Sequence, residues 1–327
     1  MIDSSSHCVT GKNAIVLCIN FSYWAHAATV IRSLLVSSPH LDASIFILFD
    51  HPDREWIARI KKLGLSLNAS ITTLHFNQLL VDDFKVFGRL STAAYYRLFA
   101  PKILAGFSKI LYLDADIVVN GDVSQLIDTD LCGYCIGART MLMNEAVIMN
   151  KQLKRDSRIP YFNSGVLLID TDLWNALECT EQICHIIRTE SERLSYADQC
   201  ALNLHFNDSY KELPLEWNLT RRFFENEQSL GSLTTSEAKL IKQALSNPQI
   251  IHYTGDFKPW HVQCRHPLRN SYWRHRSYFH WYPYGLLMRS HQLLNQSSAK
   301  LSNVTQTFKG FFRALLVKIK RRVKWEI

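Results

Sequence analysis

Short apolar runs alternate with helix-patterned polar stretches through the first half of the chain. Residues 13–19 (NAIVLCI), 43–49 and 70–76 read as three buried strands, and residues 24–36 and 53–63 as the helices between them. Ser37-Ser38-Pro39 stops the first helix, and Asp53 and Gly64 suit the N-cap and the stop of the second. Strand–helix–strand alternation of this kind builds a parallel sheet covered by helices. Residues 92–104 read as a helix leading into the run 109–113, where Ile110, Leu111 and Leu113 give the pattern of a strand buried on both faces. Residues 126–139 lead into a further strand. Residues 141–160 lack a clear period and read as a loop region that could act as a lid. Residues 166–169 form another buried strand, 171–188 a helix, 196–206 a second helix, and 250–252 a short final strand.

Candidate chemistry gathers where these strands end. Asp114-Ala115-Asp116 follows the 109–113 strand. Side chains at i and i+2 of an extended segment point the same way, so two like charges converge there and call for a cation. Carboxylate oxygens select hard ions, Mg²⁺ or Mn²⁺, which keep positions free for phosphate. Open α/β sheets place ligands at the carboxyl ends of their strands. Arg97 is the one charge early in its helix; it reads as a solvated side chain or as a cation held near the metal site. Asn163-Ser164-Gly165 precedes a buried strand, and small residues there let a ligand approach the backbone. Asp198 and Gln199 open a helix, where they suit caps. His252, Gly255 and Lys258 lie within seven residues: an imidazole to complete a metal sphere, a glycine to bring N–H groups near phosphate and a lysine to neutralise it.

Composition bounds the rest. Apolar residues are 47% of 327, enough for a full core in one large domain or two. Eight cysteines are scattered, with one lone C-x-x-C at Cys132 and Cys135; no second pair of zinc spacing accompanies it, so buried free thiols are expected, with a redox pair as the alternative. No apolar run reaches the length of a membrane span, and residues 1–12 lack the apolar core of a signal peptide, which points to a cytoplasmic protein. No G-x-G-x-x-G follows the first strand.

Charge is uneven. The net charge is +8, yet residues 257–327 hold 14 Lys and Arg against Glu326, so the remaining 256 residues carry about −5. Aromatics from Trp260 to Tyr284 interleave with arginines, which suits nucleic acid, a membrane surface or an anionic glycolipid. Residues 306–325 pattern as a basic amphipathic helix, with Phe308, Phe311, Phe312, Leu315 and Ile319 on one face, as for a helix lying in an anionic membrane interface. The confinement of charge to the tail, and the lack of a nucleic-acid motif, argue against a nucleic-acid-binding protein.

Four segments together carry a resemblance: YYRL (95–98), LYLDAD (111–116), YFNSGVLL (161–168) with ADQ (197–199), and HYTGDFKPW (252–260). In this order they resemble glycosyltransferase family 8, retaining UDP-sugar transferases, over about residues 13–262; the tail is similar to the extension of its lipopolysaccharide-core galactosyl- and glucosyltransferases. The resemblance implies an α/β fold of the GT-A type, a single Rossmann-like mixed sheet flanked by helices, over residues 13–255, with a basic aromatic extension over 256–327. It implies that Asp114, Asp116 and His252 hold Mn²⁺ or Mg²⁺, and that Ile19, Asn20, Ser22, Tyr23, Arg97, Asp114, Ala115, Gly255 and Lys258 bind the nucleotide sugar. Asn163, Asp198 and Gln199 would surround the sugar's reacting face. Asn20 stands where the family's bacterial galactosyltransferases often have an acid, and Met141 lies near the place of an acceptor-site carboxylate. The implied reaction moves glucose or galactose from UDP to a lipopolysaccharide-core hydroxyl at the inner face of the inner membrane; a UDP-sugar hydrolase, or a transferase with another acceptor, is the alternative.

Overall fold

A computed structural model describes residues 11–86, 91–224 and 234–279. By compactness the chain divides into Met1–Arg276 and Ser277–Ile327. The first unit is built on a seven-stranded sheet of order β3-β2-β1-β4-β7-β6-β8, made by β1 (Gly11–Ile19), β2 (Ser44–Phe49), β3 (Ile71–His75), β4 (Phe107–Leu113), β6 (Ile136–Thr140), β7 (Phe162–Asp170) and β8 (Lys211–Glu212). Strands β3, β2, β1 and β4 run parallel, β7 runs antiparallel to both β4 and β6, and β8 is parallel to β6. The α/β class read from the apolar pattern is present; the sheet is mixed, as the family resemblance implied, and not wholly parallel, because β7 runs antiparallel to its neighbours. A second sheet has the order β5 (Ile117–Val119), β10 (Ile250–His252) and β9 (Leu219–Thr220), and its β5 directly follows β4 in the chain.

Helices α1 (Trp24–Ser37) and α2 (Arg54–Ser66) stand where the periodicity placed them. Asp53 caps α2 by accepting from Glu55 N and Trp56 N. Gly64 is inside α2 rather than its stop; its carbonyl closes the turn by accepting from Leu67 N and Ala69 N. Residues 92–104 form a 3-10 turn, Thr92–Leu98, and a separate α3 (Ala100–Ile103), because Pro101 has no N–H to continue a helix and sits instead at the start of a new one. Helix α4 (Ser124–Ile127) precedes β6.

Residues 143–152 form a helix, α5 (Met143–Gln152), where a loop was expected. Its apolar residues lie on both sides, Ala146 and Met149 inward and Met143, Val147 and Ile148 outward, which erases the period. Residues 171–190 form two helices, α6 (Thr171–Ala176) and α7 (Cys179–Glu190), broken at Glu178, whose φ is +51°. Helix α8 (Ala197–Phe206), α9 (Thr235–Ser246) and α10 (Arg269–Arg276) complete the described α-helices. Tyr272 of α10 is buried against Val118 and Tyr253, so this part of the aromatic segment contributes to the core. Six of the seven described cysteines are buried free thiols. The expected helix over 306–325 lies outside the described residues.

Candidate active site

Two strand registers bring three metal-ligand types together. Beyond the end of β4, Asp114 N still donates to Gly165 O at 2.8 Å, so β7 holds the first carboxylate. In the small sheet His252 lies opposite Ile117, the residue after Asp116, and Tyr253 N donates to Asp116 O at 3.0 Å. Asp114, Asp116 and His252 therefore offer ligand atoms all within 4.8 Å of one another, the one such group among the described residues. His252 Nε2 is 3.2 Å from Asp116 Oδ1 and 3.6 Å from Asp114 Oδ2. Two carboxylate oxygens and one imidazole nitrogen suit a divalent cation such as Mn²⁺. Gly165 makes room for the group: a Cβ there would overlap His252 Cε1 and lie 2.6 Å from Asp114 Oδ2.

The surrounding charges are arranged around these carboxylates. Burial pushes the Asp116 carboxyl up, but Lys258 and His252 outweigh it and hold it below the usual carboxylate range. The Lys258 ammonium pairs with Asp116 Oδ2 and donates to Tyr253 O at 3.0 Å. Arg97 is not solvated: it is 5% exposed. Its Nη2 donates to Asp114 Oδ1 at 2.9 Å, its Nε lies 3.1 Å from Asp198 Oδ2, and its Nη1 donates to Ser164 O at 2.7 Å. Its guanidinium carbon also sits 4.2 Å over the Tyr112 ring, and Tyr112 Oη donates to Asp114 Oδ1 at 2.7 Å.

Asp198 and Gln199 are inward-facing residues of the first turn of α8. Ala197 before them adopts φ +47°, a sparsely populated conformation for a residue with a Cβ. Both side chains reach across to β7. Asp198 Oδ2 accepts from Ser164 Oγ at 3.2 Å, and Gln199 Oε1 accepts from Ser164 N at 3.1 Å and Asn163 Nδ2 at 2.9 Å. The β6–β7 register breaks here, with Ala138 opposite Leu167 and Arg139 opposite Asn163, which leaves Ser164 and Gly165 unpaired by β6. Their N–H groups are thereby free to hold side chains. Burial pushes the Asp198 carboxyl up to about 6, against the pull of Arg97 and with some help from Asp114.

The residues expected around the nucleotide fall at the end of β1. Ile19 is a core side chain, 1% exposed, and can offer a ligand only its backbone. Asn20 Oδ1 accepts from Ser22 N at 3.1 Å and Ser22 Oγ at 2.8 Å, capping the 3-10 turn Phe21–Tyr23. The Tyr23 ring meets His26 and Trp260 edge-on at 5.3 and 5.9 Å, and burial, with the charges of Asp116 and Asp114, raises its hydroxyl well above the ordinary range. Ala115 is buried between the two aspartates. Gly255 has φ +84°, the left-handed conformation that suits a tight anion-holding turn after His252.

Asn218 was not anticipated. It is fully buried; its Oδ1 lies 2.9 Å from His252 Nδ1, and its Nδ2 donates to Asn163 Oδ1 at 3.0 Å. The available signal was an amide flanked by Trp217 and Leu219, which if buried with them must find partners inside.

The model of glycosyl transferase family 8 matches residues 14–264. Glycosyltransferase GlyF of Streptococcus pneumoniae is 26% identical over 266 residues, 81% of this chain but 61% of that protein, so the chain spans less than two thirds of this relative's length. The lipopolysaccharide 1,2-glucosyltransferase of Escherichia coli is 28% identical over 276 residues, 79% of each chain. Among solved structures, the galactosyltransferase LgtC in complex with donor and acceptor sugar analogs superposes with a TM-score of 0.73 at 22% identity, covering 83% of this chain and 97% of that one, which shows a shared GT-A-like fold.

Proposed function

The chain belongs to glycosyl transferase family 8, and from that premise we propose that it is a retaining hexosyltransferase. It would move glucose or galactose from a UDP-sugar to a hydroxyl of a lipopolysaccharide core. The observation that carries the reading is the convergence of Asp114, Asp116 and His252 at the carboxyl end of β4, bonded to the cluster of Asn163, Asp198 and Gln199. The acceptor class is supported by similarity to a lipopolysaccharide glucosyltransferase over 79% of each chain.

The chemical difficulty is charge: a diphosphate must leave while the anomeric carbon becomes cationic. Asp114, Asp116 and His252 would hold a divalent ion, Mn²⁺ or Mg²⁺, which when bound would supply Lewis-acid stabilisation of the leaving phosphates. Lys258 adds a positive charge at the same place, and the turn at Gly255 can present N–H groups to phosphate. Tyr23 and the segment from Ile19 through Asn20 and Ser22 form the wall for uracil and ribose, and Ala115 carries backbone between the two carboxylates. Arg97 acts by orienting Asp114 and Asp198. Asp198, a carboxylate above pH about 6, and the amides of Asn163 and Gln199 face the sugar. Gln199 Oε1 already accepts two hydrogen bonds, which makes Gln199 an orienting group rather than a nucleophile.

The body of residues 13–255 is the catalytic domain in this reading, completed by Lys258 from the first part of the extension 256–327, whose later residues serve an anionic membrane surface. Among the described residues no helix is long and apolar enough to cross a membrane. In this reading attachment to the inner face of the inner membrane comes from the basic amphipathic sequence 306–325. A panel of UDP-hexoses assayed on truncated lipopolysaccharide cores tests the proposal. Acceptor-dependent UDP release with a new glycosidic linkage supports it; equal UDP release without acceptor identifies a hydrolase instead.

A further inference from the structure

Two consecutive backbone N–H groups fix the direction of a buried side-chain relay. Gly165 N–H donates to Asn163 at 3.1 Å, so the atom it meets is the oxygen Oδ1. The group that approaches the same oxygen at 3.0 Å must be a donor, which makes it Asn218 Nδ2. Asn218 then turns Oδ1 toward His252, 2.9 Å from Nδ1. An amide oxygen at that distance requires Nδ1 to carry the imidazole proton. The lone pair of Nε2 is left directed at Asp116 and Asp114, 3.2 and 3.6 Å away. At the other end, Ser164 N–H donates to Gln199 at 3.1 Å and so fixes its oxygen, which also accepts from Asn163 Nδ2. A path of side chains thus runs from His252 through Asn218 and Asn163 to Gln199, and every amide oxygen in it has a donor.

We propose that Asn218 is a positioning residue with two separable duties: its oxygen locks His252 in the metal-binding tautomer, and its N–H₂ group holds Asn163, and through it Gln199, in register with the cation site. The proposal deepens the reading of Asp114, Asp116 and His252 as ligands of a divalent cation. It assigns the link that keeps the leaving-group side and the sugar side of the site in one geometry. Partners of metal-bound imidazoles act in this way, and their loss typically weakens metal binding by about 10–100-fold.

The test compares Asn218→Ala, Asn218→Asp and Asn163→Ala in the full chain. Mn²⁺ affinity is read without donor, from the paramagnetic resonance of free Mn²⁺, beside kcat, KM for the UDP-hexose and thermal melts. Asn218→Ala should raise the Mn²⁺ Kd by about 10–100-fold and lower kcat. Asn218→Asp keeps an acceptor for Nδ1–H but cannot donate to Asn163; it should bind Mn²⁺ at least nearly as well as wild type while kcat falls as far as in Asn163→Ala. Asn163→Ala should leave the Mn²⁺ Kd unchanged and lower kcat more than it raises KM. If Asn218→Ala melts below the assay temperature, the contrast between the other two variants decides. Loss of Mn²⁺ affinity in Asn218→Asp equal to that in Asn218→Ala overturns the proposal, as does an Asn218→Ala protein whose melting point alone is altered. A wild type that binds Mn²⁺ but transfers no hexose sinks the functional reading, and the metal titrations still decide the role of Asn218.

Discussion

Arg97 Nη2 lies 2.9 Å from Asp114 Oδ1, so the turn before β4 is tied to the first residue beyond it. The same guanidinium reaches Asp198 and the Ser164 carbonyl. Removing it leaves the buried Asp198 and the half-buried Asp114 without their counter-charge. Arg97→Ala should lower stability by about 3–5 kcal/mol, read from urea unfolding. Arg97→Lys should restore little, because an ammonium lacks the planar fork that spans three acceptors. An unchanged unfolding midpoint would show that the arginine serves ligand binding alone.

Gly165→Ala should damage the cation site more than the fold. The new Cβ collides with His252 and Asp114, and overpacking of this kind costs about 1–3 kcal/mol. The expected result is a folded protein, by circular dichroism, whose Mn²⁺ affinity and turnover are both sharply reduced. Wild-type Mn²⁺ binding in this variant would contradict the role given to His252.

Asp198 should govern the acid side of the pH profile. Its folded value is raised to about 6, above an unfolded value of about 3.9. For such a group the stabilising contribution is complete below the unfolded value and is lost as pH rises through the folded one. The melting temperature of the wild type, relative to Asp198→Asn, should therefore fall between pH 4 and pH 6. Turnover should do the opposite, rising as the carboxylate forms with a midpoint near 6. An acid limb that survives in Asp198→Asn must belong to another group.

Activity should require Mn²⁺ or Mg²⁺ and disappear with a chelator. Lys258→Ala should lose about 2–4 kcal/mol of transition-state stabilisation, the scale of one electrostatic stabiliser, measured as kcat/KM. UDP should raise the melting temperature only when metal is present. Protection by UDP alone would argue against a metal bridge to the diphosphate.

Deleting residues 306–327 should abolish sedimentation with anionic vesicles and leave UDP release nearly intact. Each Lys or Arg near an anionic surface contributes on the order of 1 kcal/mol, screened by salt. Binding that persists in the deleted protein at high salt would move the anchor to another segment.

The sequence by itself determined the parallel strands, the carboxylates at the end of β4, and the four segments that resemble one family. These are local facts: a strand buried on both faces reads as an apolar run, and side chains two residues apart share a side. It lost elements where the local signal was ambiguous. Helix α5 has apolar residues on both sides, the segment before β4 is cut by Pro101, and α6 and α7 part at Glu178. Tertiary structure alone decided which polar residues meet. Asn218 reaches His252 because β9 and β10 pair, and Gln199 reaches Asn163 because the β6–β7 register breaks opposite α8. Arg97 likewise became a buried organiser only when β4, β7 and α8 closed around it. A hydrogen bond between residues more than thirty positions apart leaves no periodic trace in the chain; it exists only once sheet register has set which backbone N–H groups are left free to hold a side chain.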